Sequence, residues 1–492
     1  MVRIMSAHEL APRLPWTARA MSHPWAALAV VLTGTFMVVL DFFIVNVAMP
    51  AMQADLHAGT GAIEWVIAGY GLTFATFLIT AGRLGDQLGR RRMFSLGLAA
   101  FTLASAACGL APSPAVLVGA RLVQGLAAAL LSPQVLSIIG VVYDGPARVR
   151  AISVYGIVLG FAAVGGQLIG GVLVQADIAG LGWRSCFLIN VPVGLIALMV
   201  VARALPESRV EGAHRLDLVG TALITLGLVD IVLPLVEGRQ HGWPAWTWLC
   251  LGAAPLTLGV FVAHQRRLSR RGGAPLLDPA LFRERAFSAG LVTQLVFFSS
   301  MASYFLVLAL YLQQGRGLDA LQAGLVFTIL AAAYLVASAY APGLTPRLGR
   351  RLPAIGGLVL AAGHGLLALS VADIGVGGSI ALLVPGMLLE GAGMGLVITP
   401  LTSTVLGNLK PHNAGAAAGA LSTMQQVGNA LGVAVTGVIF FGALDRGFGH
   451  AFEVSLIQLA ALGAAVAVLT RLLPGREAAS ASEPAASRGR SC

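Results

Sequence analysis

Two residues of opposite charge lie inside otherwise apolar stretches of this sequence. Asp41 interrupts the first stretch, and Arg121 is the only basic residue inside any of them. A charged side chain at the bilayer centre costs roughly 2.5–3.5 kcal/mol on insertion scales, and such residues typically mark proton or ion pathways. Asp41 is therefore our first candidate for a proton carrier. The alternative is a structural hydrogen bond between its carboxylate and a neighbouring helix.

The depths of Asp41 and Arg121 can be compared, because stretch 26–49 leaves the membrane on the side where stretch 114–138 enters it. At a helical rise of about 1.5 Å per residue, they lie roughly 12 Å and 10.5 Å from that boundary. We therefore predict that they are level, so that Arg121 could hold Asp41 ionised and be released when Asp41 is protonated. Alternatively, Arg121 caps carbonyl groups or binds Gln124 in a polar cluster.

The elements that position these residues are apolar runs of about 20 residues. The 492-residue chain is 57% hydrophobic and 11% charged, with a mean hydropathy of +0.85, whereas soluble domains carry about 25% charged residues. Each run can cross ~30 Å of hydrocarbon as a helix, and an outer-membrane barrel would instead show alternating segments of ~10 residues. A soluble enzyme is therefore excluded. We predict fourteen transmembrane spans, at 26–49, 62–82, 93–111, 114–138, 151–174, 186–204, 216–236, 245–264, 288–312, 322–341, 354–372, 379–401, 414–443 and 453–473.

Basic residues alternate between the two sides of this topology. When the N-terminus and every even-numbered loop are assigned to one side, that side collects 26 of the 31 lysines and arginines. Since these residues accumulate in cytoplasmic loops, we predict a multi-pass protein of the inner (plasma) membrane with both termini cytoplasmic. The net charge of +10 then follows from topology and requires no nucleic-acid partner.

An internal repeat relates the two halves of the chain. The residues that match at an offset of 260 are Leu84, Leu88, Gly89, Arg90 and Arg91 with Leu344, Leu348, Gly349, Arg350 and Arg351. Repeated bundles are typical of transporters. We predict an all-α integral membrane fold with two six-helix bundles in a pseudo-two-fold relation and an inserted helix pair. The predicted parts are an N-terminal cytoplasmic segment (1–25), the N-terminal bundle (26–204), the inserted pair with cytoplasmic linkers (205–286), the C-terminal bundle (287–473) and a disordered cytoplasmic tail (474–492).

The loop between spans 2 and 3, Gly82–Arg92, resembles the signature of the major facilitator superfamily, Gly-x-Leu-x-Asp-x-x-Gly-Arg-Arg/Lys. Other motifs are similar to its fourteen-helix drug:proton antiporter branch. They are Leu40–Pro50, Arg121-x-x-Gln124-Gly125, Trp183–Gly194, Asp278–Phe287 and Met424–Gly428. The resemblance implies a proton-coupled antiporter that exports amphipathic drug-like or antibiotic molecules. It departs in span 5, where Gln167 stands in place of the family's proline.

The resemblance also implies that loop 2–3 latches the outward-facing state against the opposite bundle. A carboxylate at helix ends can accept N–H groups and bridge cationic side chains. The latch residues are Gly82, Arg83, Asp86, Gly89 and Arg90. A solvated basic loop explains Arg91 and Arg92, and Pro346 replaces the aspartate in the second copy, so the latch is predicted to be one-sided.

Span 5 is rich in glycine at spacings that permit close helix approach in lipid. The residues concerned are Gly156, Gly160, Gly166, Gly170 and Gly171. We predict that these glycines permit helix packing. The resemblance implies that they also take part in gating, and the altered motif at Gln167 leaves that second role open.

Other polar residues in spans are candidates for a substrate or second proton site: Glu390, Asn46, Gln124 and Gln425. Glu390 in span 12 could attract a cationic substrate, bind a proton or form a structural hydrogen bond. We favour a structural role for Asp230 in span 7. For the aromatic residues of span 9, we favour lipid contact over a cavity lining; they are Phe297, Phe298, Tyr304 and Phe305.

The sequence contains no Walker motif or Gly-rich nucleotide loop, and we find no nucleophile–base or metal constellation in it. We therefore expect neither an enzyme nor a cofactor, and predict small-molecule substrates, protons and the bilayer as partners of a monomer. The rival interpretations are a proton-coupled transporter of another metabolite, in either direction, and a non-transporting membrane sensor.

Overall fold

A computed structural model describes residues 24–209, 216–238, 241–273, 275–276, 279, 281–407 and 414–473. Predicted segment 1–25, except its last two residues, and the predicted tail lie outside these ranges. Within them, fourteen helices are long and apolar enough to cross a membrane, which confirms the predicted number. The helices are α1 (Pro24–Asp55), α2 (Thr60–Leu88), α3 (Arg90–Gly109), α4 (Pro114–Val142), α5 (Gly145–Ala176), α6 (Asn190–Ala204, preceded by the helical turn Ser185–Leu188), α7 (Leu218–Glu237), α8 (Ala245–Arg270), α9 (Arg285–Leu310), α10 (Ala320–Leu348), α11 (Arg351–Ile374), α12 (Val384–Gly407), α13 (Ala414–Gly442) and α14 (Phe448–Leu469).

Several helices run beyond the apolar stretches that predicted them. Helix α2 continues to Leu88 and α10 to Leu348, each about two turns past its predicted end. Hydropathy detects only the part of a helix inside hydrocarbon, whereas backbone hydrogen bonds continue into the interface. Local sequence then fixes the helix ends. At the start of α10, for example, Asp319 Oδ1 accepts the N–H of Gln322 at 2.7 Å, and Gln322 Oε1 accepts the N–H of Asp319 at 3.2 Å.

The repeated loop has a glycine with a positive φ after the preceding helix in both copies. Gly89 after α2 has φ of 112°, and Gly349 after α10 has φ of 52°. Residues with a Cβ rarely adopt such angles. The glycine in the repeat is therefore required by the turn that ends the helix before each loop.

Helix packing follows one scheme in each half. In the first half, α1 packs on α5, α2 on α4, and α3 on α4 and α6. In the second half, α9 packs on α13, α10 on α12, and α11 on α12 and α14. Each partner is displaced by eight helices, as expected for two repeated bundles. The remaining helices, α7 and α8, pack on each other.

Helix α7 lies beside both bundles but is hydrogen-bonded to α2. Near one end, Trp65 Nε1 donates to Glu237 Oε1 at 2.6 Å, and near the other the hydroxyls of Thr80 and Thr221 are 2.8 Å apart. Helix α7 also contacts α13. The inserted pair is thus attached to the first bundle and borders the second.

The two bundles meet mainly through α2 with α13 and α5 with α10. We term the face with the loops after α1, α3 and α5 the odd-loop face, and the opposite one the even-loop face. Near the odd-loop face, a Cβ on Gly171 would lie 2.5 Å from the carbonyl oxygen of Ala320. A Cβ on Gly324 would lie 2.8 Å from the carbonyl oxygen of Gln167. Close approach of α5 and α10 therefore depends on residues without side chains.

The other span 5 glycines differ in their surroundings. Gly166 and Gly170 face α1, where an added Cβ would lie 3.0 Å from Phe43 Cβ and 2.8 Å from Ile44 Cγ1. Gly160 faces the ring of Tyr334 of α10 at 3.4 Å, and nothing lies within 4 Å at Gly156. The close contacts thus lie in the odd-loop half of α5.

We expect Gly89→Ala to destabilise the protein more than Gly349→Ala. Both changes place a Cβ at a positive φ, which costs of order 1–3 kcal/mol. At Gly89 the new Cβ would also lie 2.5 Å from Glu207 Oε1, whereas nothing lies within 4 Å at Gly349. Melting temperatures of the purified protein in detergent measure the difference. Equal decreases would show that the Glu207 contact contributes nothing to this loop.

Candidate functional site

Asp41 and Arg121 form an ion pair between α1 and α4. Arg121 Nη1 donates to Asp41 Oδ2, and neither side chain has exposed surface. The two residues that sequence analysis placed at one depth are therefore in contact. Burying two charges is costly unless their remaining polar atoms are also satisfied, so the neighbours of the pair belong to the site.

The second oxygen of Asp41 is held by two amides. Asp41 Oδ1 accepts from Gln124 Nε2 at 2.8 Å and from Asn190 Nδ2 at 3.2 Å. Asn190, at the start of α6, also donates to Ser105 Oγ of α3 at 3.0 Å. Side chains from α1, α3, α4 and α6 thus share one buried network.

Arg121 makes several contacts beyond its carboxylate. Its Nε donates to the carbonyl oxygen of Val66 at 2.8 Å, and its Nη1 donates to Gln124 Oε1 at 2.8 Å. The guanidinium carbon lies 4.2 Å from the ring centroid of Tyr70, a cation–π contact that also involves α2. Arg121 therefore pairs with Asp41 and also binds a carbonyl group and Gln124, so the contacts of both interpretations are present, while the coupling role stays a prediction.

Protonation would change the charge of this network from zero to +1. Arg121 would then lose its ionic partner, and removal of one partner from a buried pair generally costs about 3–5 kcal/mol. The network would have to rearrange or admit water to reduce that cost. Because the network joins five helices, a proton on Asp41 can act on their packing.

The other two candidate amides are not joined to this network by any hydrogen bond among the described residues. Asn46 Nδ2 donates to the carbonyl oxygen of Phe43 at 3.1 Å in its own helix. Gln425 is half-buried on α13. Of the amides named from sequence, only Gln124 contacts Asp41.

A second group of buried titratable side chains lies in the C-terminal bundle. Glu390 Oε2 of α12 is 3.2 Å from His364 Nε2 of α11, and both residues are buried. The contact lacks hydrogen-bond geometry and is an ion pair when His364 is protonated. The ring of Tyr304 from α9 stands edge-on to His364, with 5.2 Å between centroids. Glu390 was a predicted site residue, whereas its pairing with His364 was not predicted.

The two groups occupy corresponding helices of the repeat. The first draws on α1, α3 and α4 with Asp41, Ser105 and Arg121, and the second on α9, α11 and α12. The acidic residue is on the first helix of one bundle and on the fourth of the other. The same scaffold therefore carries two different charge arrangements.

The loop 2–3 residues contact the segment that follows α6. Asp86 accepts from Arg90 of the same loop at 2.8 Å. Glu207 Oε1 accepts the N–H of Arg91 at 3.1 Å, and Glu207 Oε2 lies 3.7 Å and 3.6 Å from Nε of Arg91 and Arg92. Arg91 and Arg92 therefore have a carboxylate partner, which the explanation as solvated charge omitted. Glu207 lies in a loop and gave no signal in the sequence.

The remaining latch residues lie around this loop. Arg83 donates to the carbonyl oxygen of Pro275 in the linker before α9. Gly82 faces Pro133 of α4, 3.6 Å from where a Cβ would lie. Gly89 brings the backbone next to Glu207. The Asp86–Arg90 pair is thus within its own loop.

The aromatic residues of span 9 are buried, so the prediction of lipid contact was wrong. Phe305 stacks on Phe327 of α10 with 5.5 Å between ring centroids, and it meets Phe43 of α1 at 5.0 Å. Glu64, at the start of span 2, was not predicted as a site residue and is also buried. A Cβ on Gly437 would lie 2.9 Å from its Oε2, so Glu64 lies at the contact between α2 and α13.

Comparison with known proteins places the chain in a family. The family model described as Major Facilitator Superfamily matches residues 31–433. The chain is 40% identical to the probable actinorhodin transporter of Streptomyces coelicolor, over 91% of this chain and 78% of that protein. It is 37% identical to the cephamycin export protein CmcT of Amycolatopsis lactamdurans, over 91% and 92%. It is 34% identical to the multidrug resistance protein Stp of Mycobacterium tuberculosis, over 82% and 74%.

Solved structures share the fold at low sequence identity. A POT family transporter in complex with a thioalcohol-conjugated peptide has a TM-score of 0.65 and 15% identity, over 90% of this chain and 95% of that chain. A D-xylose-proton symporter has a TM-score of 0.62 and 15% identity, over 92% and 98%. The chain is therefore a multi-pass membrane protein that belongs to the Major Facilitator Superfamily.

Proposed function

We propose that this protein is a proton-coupled exporter of amphipathic drug-like or antibiotic molecules, and that it works as a monomer in the inner (plasma) membrane. The buried Asp41–Arg121 pair carries the proposal, because its carboxylate can bind a proton and belongs to a network that joins five helices. The names of the relatives, which concern an actinorhodin transporter, cephamycin export and multidrug resistance, support the direction and the substrate class.

The proton gradient would supply the energy for export. An inward proton contributes about 2.3 kcal/mol per 100 mV, and each tenfold concentration ratio requires about 1.4 kcal/mol. One proton at 100 mV thus supports a gradient of roughly fiftyfold for a neutral solute. Asp41 would accept its proton from the outer side, lose its pairing with Arg121 and release the proton inward after the bundles move.

The contacts between the bundles support an inward-facing state. They include Gly171 with Ala320, Glu64 with Gly437, and Gln314 Nε2, which donates to Gln53 Oε1 at 3.0 Å. All lie near the odd-loop face, which is the outer one if both termini are cytoplasmic. A transporter that alternates access must break these contacts to face outward.

Two rival functions make different demands on the same site. A non-transporting sensor would not need a titratable residue such as Asp41 paired with Arg121 between helices. The presence of this buried network therefore disfavours a sensor. Uptake of a metabolite would use the same proton chemistry in the other direction. Accumulation in inverted vesicles distinguishes export from uptake.

We expect Asp41→Asn to abolish proton-driven export, since the amide keeps the shape but cannot titrate. Ethidium accumulation in respiring inverted vesicles should fall by about tenfold or more. Asp230→Asn is the matched control, because Asp230 accepts from Thr257 at 3.0 Å inside the inserted pair and should retain transport. Unchanged accumulation with Asp41→Asn, at equal expression, would contradict the role of Asp41 in coupling.

We expect Asp86→Asn to shift the conformational balance further inward by weakening the latch of loop 2–3. Reporter cysteines at Gly156 and Gln314, in a background without native cysteines, can be labelled from the even-loop and odd-loop faces. Labelling at Gly156→Cys should rise and labelling at Gln314→Cys should fall. Asp144→Asn is the control, since Asp144 is also an exposed acidic residue at the even-loop face. Equal labelling in both variants would reduce Asp86 to an ordinary loop residue.

We further propose Glu390 with His364 as a second proton site, because a carboxylate and an imidazole, both of which can bind a proton, lie 3.2 Å apart in buried surroundings. Glu390→Gln and His364→Gln should then alter the pH dependence of export for cationic ethidium and neutral chloramphenicol alike. Thr293→Val is the control, since the hydroxyl of Thr293 donates to the carbonyl oxygen of Ala289 in its own helix at 2.7 Å and to no other residue that the structure describes.

A cation site would give a different result in the same assay. Export of ethidium alone would weaken in Glu390→Gln by ~1–3 kcal/mol, or roughly 5–150-fold, because only the cation loses a desolvated charge partner. Export unchanged for both probes at external pH 6 and pH 8 would leave Glu390 with a structural role.

A further inference from the structure

Four exposed arginines lie at the even-loop end of α8, three in its last turns and one just after it: Arg266, Arg267, Arg270 and Arg271. None of their side chains has an ion pair or hydrogen bond to another described residue. Some other arginines at this face have partners, since Arg90 pairs with Asp86 and Arg350 donates to the carbonyl oxygen of Leu473 at 2.7 Å. The positive-inside bias accounts for the side on which these four lie but not for their clustering on one exposed surface.

A hydrogen-bonded carboxylate fixes the orientation of this part of α8. Asp217 accepts from His264 Nε2 at 2.8 Å and from Gln265 Nε2 at 2.6 Å. Burial alone would raise the pKa of Asp217, but these donors and the N–H of Gly220 lower it. Asp217 therefore stays ionised at neutral pH and holds the preceding turn against α7. At 3.6 residues per turn, most of the four arginine side chains then point away from α7.

The arginines line a groove with smaller residues from deeper in the membrane. Gly259, Val262 and Ala263 border the same open, shallow groove, whose lining comes from α8 and Arg271 and whose volume is about 600 Å³. These three residues are exposed on a transmembrane helix, and Gly259 lies roughly 10.5 Å along the axis from Arg266. The groove thus has an apolar floor within the hydrocarbon and a cationic end at the interface.

We propose that this groove binds an anionic phospholipid, with its phosphate on the arginines and an acyl chain along Gly259 and Ala263. A phosphodiester joined to a hydrocarbon chain matches the two parts of the groove in order. Guanidinium groups bind phosphate oxygens through paired N–H donors, and clustered basic residues beside a membrane span are typical of anionic lipid sites. A soluble polyanion could bind the arginines but would make no favourable contact with the apolar residues of the groove.

Native mass spectrometry of the full-length protein in neutral detergent tests the proposal. The probes are dioleoyl phosphatidylglycerol, which is anionic, and dioleoyl phosphatidylcholine, which is neutral overall. We expect phosphatidylglycerol to bind more tightly by roughly tenfold. The double variant Arg266→Gln/Arg270→Gln should remove that preference and leave phosphatidylcholine binding unchanged. The absence of any preference in the unaltered protein would overturn the proposal.

Two further variants separate a specific lipid site from general charge. Arg347→Gln/Arg351→Gln removes two exposed charges from the same face, beside α10 and α11, and should retain the preference. An equal loss in both double variants would show that net charge alone attracts the lipid.

Gly259→Leu/Ala263→Leu keeps all four arginines but fills the groove and should weaken phosphatidylglycerol binding. Unchanged binding in that variant, or displacement by millimolar inorganic phosphate, would mean that the arginines bind a headgroup phosphate without an acyl chain and would contradict the proposal.

Discussion

The buried ion pair of Asp41 and Arg121 sets the constraint that the rest of the first bundle satisfies. Removing both charges from water costs more than their attraction returns unless the remaining donors and acceptors also find partners. The amides of Gln124 and Asn190 and the carbonyl group of Val66 supply partners for Asp41 and for Nε of Arg121, whereas Nη2 of Arg121 has no hydrogen-bond partner among the described residues. Because these groups come from different helices, the partners of the pair are brought together only when the bundle is assembled around it, and a change in the charge of Asp41 would act on contacts among those helices.

The second bundle uses the same helix arrangement with different chemistry. An arginine keeps its charge at all physiological pH values, so the first pair can change only through Asp41. In the second pair the neighbour of the carboxylate is a histidine, so Glu390 lies beside a side chain that carries no permanent charge. The two bundles therefore hold charged residues between corresponding helices, but the residues at these positions differ.

Sequence predicted the helices and the level of the first pair because both depend on distance along a helix. Hydropathy and a fixed rise per residue measure that distance. Contacts between helices also depend on how each helix is rotated about its axis, which these patterns do not reveal. For that reason the pairing of His364 with Glu390 and of Asn190 with Asp41 was not predicted, and the buried ring of Phe305 was assigned to lipid. Glu207 was missed because loop residues have no periodicity.

Gln167 is where this chain departs from the antiporter motif, and its position bears on the movement of the bundles. Helix α5 runs unbroken through it from Gly145 to Ala176, and its carbonyl oxygen lies where α10 approaches at Gly324. The side chain is buried, and neither polar atom has a partner among the described residues. An unsatisfied buried amide costs about 1–3 kcal/mol. Separation of α5 from α10 would admit water to that region and relieve the cost, so Gln167 lowers the stability of the closed contact that the adjacent glycines make possible.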